Sequence, residues 1–390
     1  MNAAGIIVEF NPLHKGHIEH LQETKRLTQR EYIIAIMSGN FVQRGEPAIC
    51  DKWRRTQMAL HSGVDIVIEL PVPYVVSGAD YFARGAVNLL AATGVVDKLC
   101  FGSESGELEL IKECGQVLAH EPDSYKTALR NGLDKGLSFA AARGAALDAV
   151  IGNVPEGLLS KPNNGLGMEY CKALWQTGWP MEAYTSYRKT GGPSATAIRK
   201  DIWKSKSISK EMAMSMPNPV LEIMHEAIEA KEIPQLEDFN KIFRYLLYTG
   251  DINLGEGLEN RFRHFAKEHC GIIALLDAVK TKRYTYTRLQ RAVISIILGI
   301  KHEDILSYES TGGPAYIRVL GFKRSAAVLL GEITRRASLP VLTSGSAMDQ
   351  LHGSAASMLS MEFKAGDIYR LAYGGQGGYR SERGMPMIVL

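Results

Sequence analysis

Ala4-Gly5-Ile6-Ile7-Val8-Glu9-Phe10-Asn11-Pro12-Leu13-His14-Lys15-Gly16-His17 stands at the start of the chain. Residues 4–9 are apolar without alternation, apart from Glu9, which is the pattern of a strand buried on both faces. Pro12 fixes a turn, Gly16 lets a ligand approach the backbone closely, and a helix is predicted over 16–29. A strand that runs through a turn into a helix presents free N–H groups and a positive dipole end to an anion. His14 and His17, three apart, can reach the same phosphates and donate hydrogen bonds to charge developing on them. The constellation suits attack on the α-phosphate of a nucleotide with pyrophosphate leaving.

The pattern continues outward from this stretch. Strands are predicted over 32–37, 65–70, 98–101 and 183–186, and helices over 51–61, with Asp51 as N-cap, and 79–92. Apolar strands alternating with helices imply right-handed parallel crossovers, hence an α/β doubly wound parallel sheet of Rossmann-like type. Ligands in such folds bind at the carboxyl ends of the strands, here 9–17, 38–44, 69–73 and 102–104. Asn40, in Ser38-Gly39-Asn40-Phe41, falls at one such end. It is a candidate for positioning a reacting carboxylate, with a plain turn residue as the equal alternative. Residues 105–180 read as helices, and a glycine turn, Thr190-Gly191-Gly192-Pro193, follows the last predicted strand. After Pro217 and Pro219 the segments are mostly helical. The expected division is a nucleotide-binding domain over 1–205 and a mainly helical C-terminal domain over 206–390. The tail around 374–378 reads as a loop.

Length and composition narrow the classes. The chain has 390 residues, 45% hydrophobic and 22% charged, which excludes a disordered or fibrous protein. No apolar run is long enough for a transmembrane helix, and the start lacks a signal-peptide pattern, so a cytoplasmic protein is expected. Five cysteines, none in CxxC spacing, indicate reduced thiols and neither a zinc site nor a disulfide framework. No carboxylate cluster resembles a metal cage. Net charge is only +3, but 275–340 holds 11 basic against 5 acidic side chains, a possible phosphate-backbone footprint.

The stretch Phe10–His17 is similar to the GxFxPxHxGH signature of the nucleotidyltransferase superfamily, related to class I aminoacyl-tRNA synthetases. Ser194-Ala195-Thr196-Ala197-Ile198-Arg199 resembles that superfamily's ISSTxIR motif, whose hydroxyls and helix N-terminus hold the outer phosphates. Ser194 and Thr196 at a helix start are equally ordinary capping residues. Lys204-Ser205-Lys206-Ser207 has the wrong spacing for a synthetase KMSKS loop and reads as a basic helix end. Together with SGNFVQRGEPA, DIVIELP, FGSESG, PNNGLGMEY, PSATAIR and KRYTYTRLQRAVISIILGI, the chain resembles the bacterial tRNA(Met) cytidine acetate ligase family. The resemblance implies an HxGH nucleotidyltransferase fold. It also implies activation of acetate by ATP as acetyl-adenylate, and acetyl transfer to N4 of the wobble cytidine of elongator tRNA(Met). It implies that ATP is wrapped by Ile7, Val8, Glu9, Phe10, Asn11, Pro12, Leu13, His14, Lys15, Gly16, His17, Ile18, Glu19 and His20. Gly102, Asn163 and Arg188 join as further nucleotide contacts, with adjacent Asn164 a credible substitute for Asn163. Mg²⁺ is expected to arrive with ATP, held by phosphates and water.

A tRNA surface is expected around Lys282, Arg283, Arg288 and Arg291, where tyrosines stand beside cations and a helix is predicted from Thr287. Two other readings compete. A small-molecule adenylyltransferase shares the HxGH motif but rarely needs so long a basic, helical extension. A non-catalytic tRNA-binding protein would not need intact His14, Gly16, His17, Ser194 and Thr196.

Overall fold

A computed structural model describes the chain except at Met1, Asn153, Glu156, Ser160, 189–191, Asp251, Gly255, Glu256, Lys282, Arg283 and 375–380. The expectations for Lys282, Arg283 and most of 374–378 therefore lie outside the described residues.

Strands β1 (Ala3–Val8), β2 (Tyr32–Ser38), β5 (Ile66–Leu70), β6 (Val96–Ser103) and β7 (Glu182–Tyr187) form the parallel part of the sheet, and β3 (Phe41–Val42) and β4 (Glu46–Pro47) form a small hairpin. Three later strands, β8 (Ile317–Phe322), β9 (Val341–Leu342) and β10 (Ile388–Val389), complete an eight-stranded sheet of order β10-β8-β5-β2-β1-β6-β7, with β9 beside β8. β1 is flanked by β2 and β6, both parallel to it, with Val8 opposite Met37. The chain leaves β1 toward β2 and returns to β6 on the other side. The switch point, where open α/β sheets bind ligands, is thus the carboxyl end of β1. Helices Lys15–Thr28, Lys52–His61 and Ala79–Ala92 cover the sheet, and Asp51 caps the second through a 2.9 Å bond from the Arg54 amide.

Two features depart from the sequence reading. Residues past 206 are not helical throughout: they return three strands to the sheet, and β8 pairs antiparallel with β5. The sheet is therefore mostly, not wholly, parallel, and a cut at 205 would strip one edge from it. The reason is a buried charge cluster that crosses this boundary. Lys52 Nζ lies 2.5 Å from Glu69 and 2.8 Å from Glu382, while Arg318 lies 2.9 Å from Glu69 and 3.2 Å from Glu382. All four side chains are essentially inaccessible to water. Glu362, on the helix Gly353–Arg370, accepts from the Val72 amide, and burial, then the neighbouring Glu69 carboxylate, push its carboxyl well up. Leaving one such charge unpaired typically costs about 3–5 kcal/mol, so the C-terminal elements are locked to β5 and to the Lys52 helix.

All five cysteines are free, and only Cys270 is exposed. No helix among the described residues is long and apolar enough to cross a membrane.

Candidate active site

The loop after β1 is built around its two histidines. His14 is the N-cap of the helix Lys15–Thr28 and accepts from the Gly16 amide through Nδ1 at 3.1 Å. His17 reaches back and accepts from the His14 amide through its own Nδ1, also at 3.1 Å. This is a capping box made of imidazoles, with two otherwise orphaned backbone donors satisfied reciprocally. It has a chemical consequence. A neutral ring with Nδ1 as acceptor must carry its proton on Nε2. Both rings therefore offer Nε2–H as a donor, and their centroids are 4.0 Å apart.

Charge agrees with this tautomer. Burial, and then the Arg188 guanidinium, pull His14 down to about 4 and His20 likewise to about 4. His17 is held well below its ordinary value by burial, with His14, Arg188 and His20 adding to the effect. All three are neutral at pH 7. His20 Nδ1 lies 2.7 Å from Ser186 Oγ on β7, which fixes that ring against the neighbouring strand. A Cβ at Gly16 would meet His14 Cε1 at 3.0 Å, so a side chain there would press the capping ring out of place.

The remainder of the loop is clamped by backbone bonds. Phe10 sits at φ 46°, a left-handed conformation costly for a bulky residue, and the Asn11-Pro12 peptide one residue on is cis. Asn11 Oδ1 accepts from Ile49 N at 2.7 Å, and Arg199 donates to the Asn11 carbonyl at 2.8 Å. Val8 and Leu13 are buried in the core, so only their backbones can face a ligand, whereas Lys15 and Glu19 are exposed and Ile7, Ile18 and His20 are half-buried. Glu9 accepts from the Gln43 amide at 2.7 Å, and burial pushes its carboxyl up.

Sequence reasoning passed over the residue that ties this end of the sheet together. Arg55, wholly buried, donates to the carbonyls of Glu9 (2.6 Å), Ser38 (3.1 Å), Cys50 (3.2 Å) and Gly39. One guanidinium fork thus fixes the ends of β1 and β2 relative to each other. Arg199, on the helix Ala195–Ser205, lies 3.3 Å from Glu46, and Glu46 accepts from Gln290 Nε2 at 3.0 Å. A chain of contacts therefore runs from the helix Tyr286–Leu298 through Glu46 and Arg199 to the Asn11 carbonyl.

Arg188 follows β7 and donates to Asn163 Oδ1 at 3.0 Å, and its stem lies over Gly102, where a Cβ would meet Arg188 Cγ at 3.1 Å. The two asparagines have different tasks. Asn164 Oδ1 accepts from the Glu104 and Ser105 amides and its Nδ2 donates to the Leu158 carbonyl, so it is committed to the fold. Asn163 is half-buried and faces Arg188. Ser194 caps the helix Ala195–Ser205, accepting from the Ala197 amide at 3.2 Å, and Thr196 Oγ1 lies 3.4 Å from Arg199 Nη2. Ser194 thus fills the capping role that the sequence left open. Lys206 forms the left-handed C-cap of the same helix. Asn40 Oδ1 accepts from the Lys52 amide at 2.8 Å, which fills the turn role, while its buried Nδ2 has no hydrogen-bond partner among the described residues.

Of the residues expected to form a tRNA surface, Arg288 and Arg291 lie among the described residues. Arg288 is partly exposed, with its guanidinium 5.1 Å over the Tyr284 ring. Arg291 instead packs on the β3–β4 hairpin, 3.4 Å from the Gln43 carbonyl, and burial pulls its guanidinium down to about 10. Leu289 and Val293 are in the core, and Gln290 meets Glu46, which turns the Arg291 side of the helix toward the hairpin.

A Rossmann-like sheet with a histidine-capped loop at its switch point defines a nucleotidyltransferase of the HIGH type. A family model described as HIGH Nucleotidyl Transferase matches residues 1–382. The tRNA(Met) cytidine acetate ligase of Caldanaerobacter subterraneus subsp. tengcongensis is 42% identical, with 96% of each chain covered. The same-named protein of Acetivibrio thermocellus is 38% identical over 96% of this chain and 95% of its own. A crystal structure of Thermotoga maritima TmcAL bound with alpha-thio ATP superposes with a TM-score of 0.92 over the whole of both chains, at 32% identity. The chain belongs to the tRNA(Met) cytidine acetate ligase family of HIGH nucleotidyl transferases.

Proposed function

We propose that the protein activates acetate with ATP and transfers the acetyl group to N4 of the wobble cytidine of elongator tRNA(Met), in the cytoplasm. In the first step an acetate oxygen attacks the α-phosphorus, the bond to the bridging oxygen breaks, and pyrophosphate leaves with its electron pair. In the second step the cytidine N4 attacks the acetyl carbon, AMP leaves, and N4 loses a proton. The observation that carries this reading is the pair of neutral Nε2–H donors on His14 and His17 beside the Arg188 cation, at the switch point of the sheet.

The residues divide the work as follows. Backbone groups of residues 7–20 wrap ATP, and His14 and His17 donate to charge developing on the α-phosphate. Arg188, steadied by Asn163 over Gly102, pairs with phosphate, and Ser194 and Thr196 sit at the helix start that meets the outer phosphates. The unpartnered Asn40 Nδ2 is assigned to the acetate carboxylate. Among the described residues no group of three or more His, Cys, Asp or Glu side chains is placed to hold a metal ion. Mg²⁺ would neutralise phosphate charge while held by phosphates and water. Arg288, partly exposed above the buried ring of Tyr284, is assigned to RNA phosphate.

Incubation with ATP, labelled acetate and either elongator tRNA(Met) or no RNA tests the reading. Acetate-dependent pyrophosphate release without tRNA, and label in cytidine with it, are expected. Adenylylation of a small molecule in place of acetate activation would refute it.

A further inference from the structure

The helix Asn240–Thr249 (NKIFRYLLYT) buries Phe243 and Leu247 and carries no acidic residue. Its other face presents Lys241, Arg244, Tyr245 and Tyr248, spaced i, i+3, i+4 and i+7 and so aligned along one side. Tyr245 is 67% and Tyr248 53% exposed, unusual for two large aromatics set side by side on a charged helix face. Tyr248 is held in place: Arg244 Nη2 donates to its hydroxyl at 3.1 Å, and the guanidinium lies 5.6 Å over its ring. Arg244 is itself fixed by the carbonyls of His269 at 2.8 Å and Ala266 at 3.0 Å. The result is an ordered, water-facing aromatic surface bordered by cations.

Its position relates it to the site. The turn before this helix ends at Phe239, fully buried, whose ring centroid is 5.8 Å from that of Phe41, the residue next to Asn40. At 1.5 Å rise per residue, Tyr245 and Tyr248 stand roughly 9 and 13 Å further along the helix axis. Arg288 and Tyr284 lie at the start of the helix Tyr286–Leu298, which packs beside it.

We propose that the Lys241–Arg244–Tyr245–Tyr248 face is a stacking platform for unpaired anticodon-loop nucleotides flanking the cytidine that is acetylated. This rests on the tRNA reading above and adds to it the surface that would hold the RNA. Single-stranded RNA is gripped by bases stacking on aromatic rings while cations meet its phosphates, and a face with two rings, two cations and no carboxylate matches that chemistry. One modified base must be drawn to the adenylate, so its neighbours have to be held at a distance of this order from the site.

The test is a titration of full-length protein with elongator tRNA(Met) at several salt concentrations, beside a tRNA-free acetate activation assay and a measurement of oligomeric state. Base–aromatic stacking is worth enough that Tyr245→Ala with Tyr248→Ala should weaken tRNA binding by about 10-fold or more. Tyr245→Phe with Tyr248→Phe should restore most of that affinity, because stacking needs the ring. Lys241→Ala should lower the salt slope by about one unit. Acetate activation without tRNA should be unchanged in all three variants. Wild-type affinity in the double alanine variant overturns the platform alone, whereas absence of tRNA binding by the wild-type protein overturns the tRNA reading with it. Loss of a wild-type dimer in the alanine variant, with tRNA affinity unchanged, assigns the face to a second copy of the chain and also overturns it.

Discussion

Replacing His17 by asparagine separates two tasks that one imidazole performs. Its Nδ1 accepts from the His14 amide at 3.1 Å and so closes the cap of the helix Lys15–Thr28. Its Nε2–H is the donor that the proposed reaction directs at phosphate. An asparagine carbonyl oxygen takes nearly the place of Nδ1 and can keep the cap, but nothing then stands at Nε2. Losing an N-cap interaction costs roughly 1 kcal/mol, and losing a donor to developing charge costs roughly 3–4 kcal/mol, or 10²–10³ in rate. His17→Ala should therefore show both losses: a melting point lower by about 2 °C and an activation rate lower by 10²–10³. His17→Asn should show only the second. His17→Gln, whose side-chain amide reaches the Nε2 position, should regain part of the rate while losing the cap.

The assay is acetate-dependent exchange of labelled pyrophosphate into ATP, run beside thermal melts of the same preparations. Exchange in His17→Asn at the wild-type rate would refute the donor role, whatever the alanine variant did. A melting point for His17→Asn as low as that of His17→Ala would refute the capping account and, with it, the assignment of the proton to Nε2.

Three other outcomes follow from the same geometry. Arg55→Lys replaces a fork that serves four carbonyls with a single point donor, so denaturant unfolding should report a loss of about 2–3 kcal/mol, and exchange should slow in the folded fraction. Glu46→Gln removes the charge partner of Arg199, and steady-state kinetics should show a several-fold higher KM for ATP with a smaller change in kcat. His14 is lowered from 6.5 to about 4, so the unfolded chain binds a proton that the folded chain refuses; stability should be full above pH 6.5 and fall, by at most about 3 kcal/mol, as pH drops toward 4. In the same window kcat/KM for ATP should show no inflection near 6.5, and an inflection there would contradict neutral histidines in the free enzyme.

What could be read from the sequence was local. β1, its turn and the following helix are written in consecutive residues, and the strands, buried on both faces, gave a periodicity that chain order alone interprets. The contacts that finish the site join residues far apart in the chain. Arg199 meets the Asn11 carbonyl across 188 positions, Gln290 meets Glu46 across 244, and Arg318 meets Glu69 across 249. No spacing rule reports such pairs. β8 escaped for the same reason: Ile317–Phe322 contains an arginine, and only the buried Glu69 and Glu382 make that arginine an interior residue. Helical spacing puts Arg291 on a face with Arg288 but does not reveal that Arg291 packs against the β3–β4 hairpin. Asn163 and Asn164 differ by one position, and only the two amides that consume Asn164 Oδ1 distinguish them.

The neutrality of the histidines bears on why the proposed reaction would be accelerated at all. A cation beside ATP attracts its phosphates before and during the reaction, and binding both states equally lowers KM without raising kcat. Arg188 is proposed as such a cation, and its pairing with Asn163 fits a holding role. An uncharged Nε2–H gains little from the resting α-phosphate but more as negative charge grows on its oxygens, provided the donor is already aimed and need not reorganise. The reciprocal cap supplies that aim: each Nδ1 is fixed by a backbone amide that would otherwise be unsatisfied, so each ring has one direction left for its proton. Arg188 contributes a second time, because its charge helps keep the imidazoles from protonating. In the proposed reaction one cation would thus bind the nucleotide and keep its neighbours neutral, the state in which their contribution would fall on the transition state.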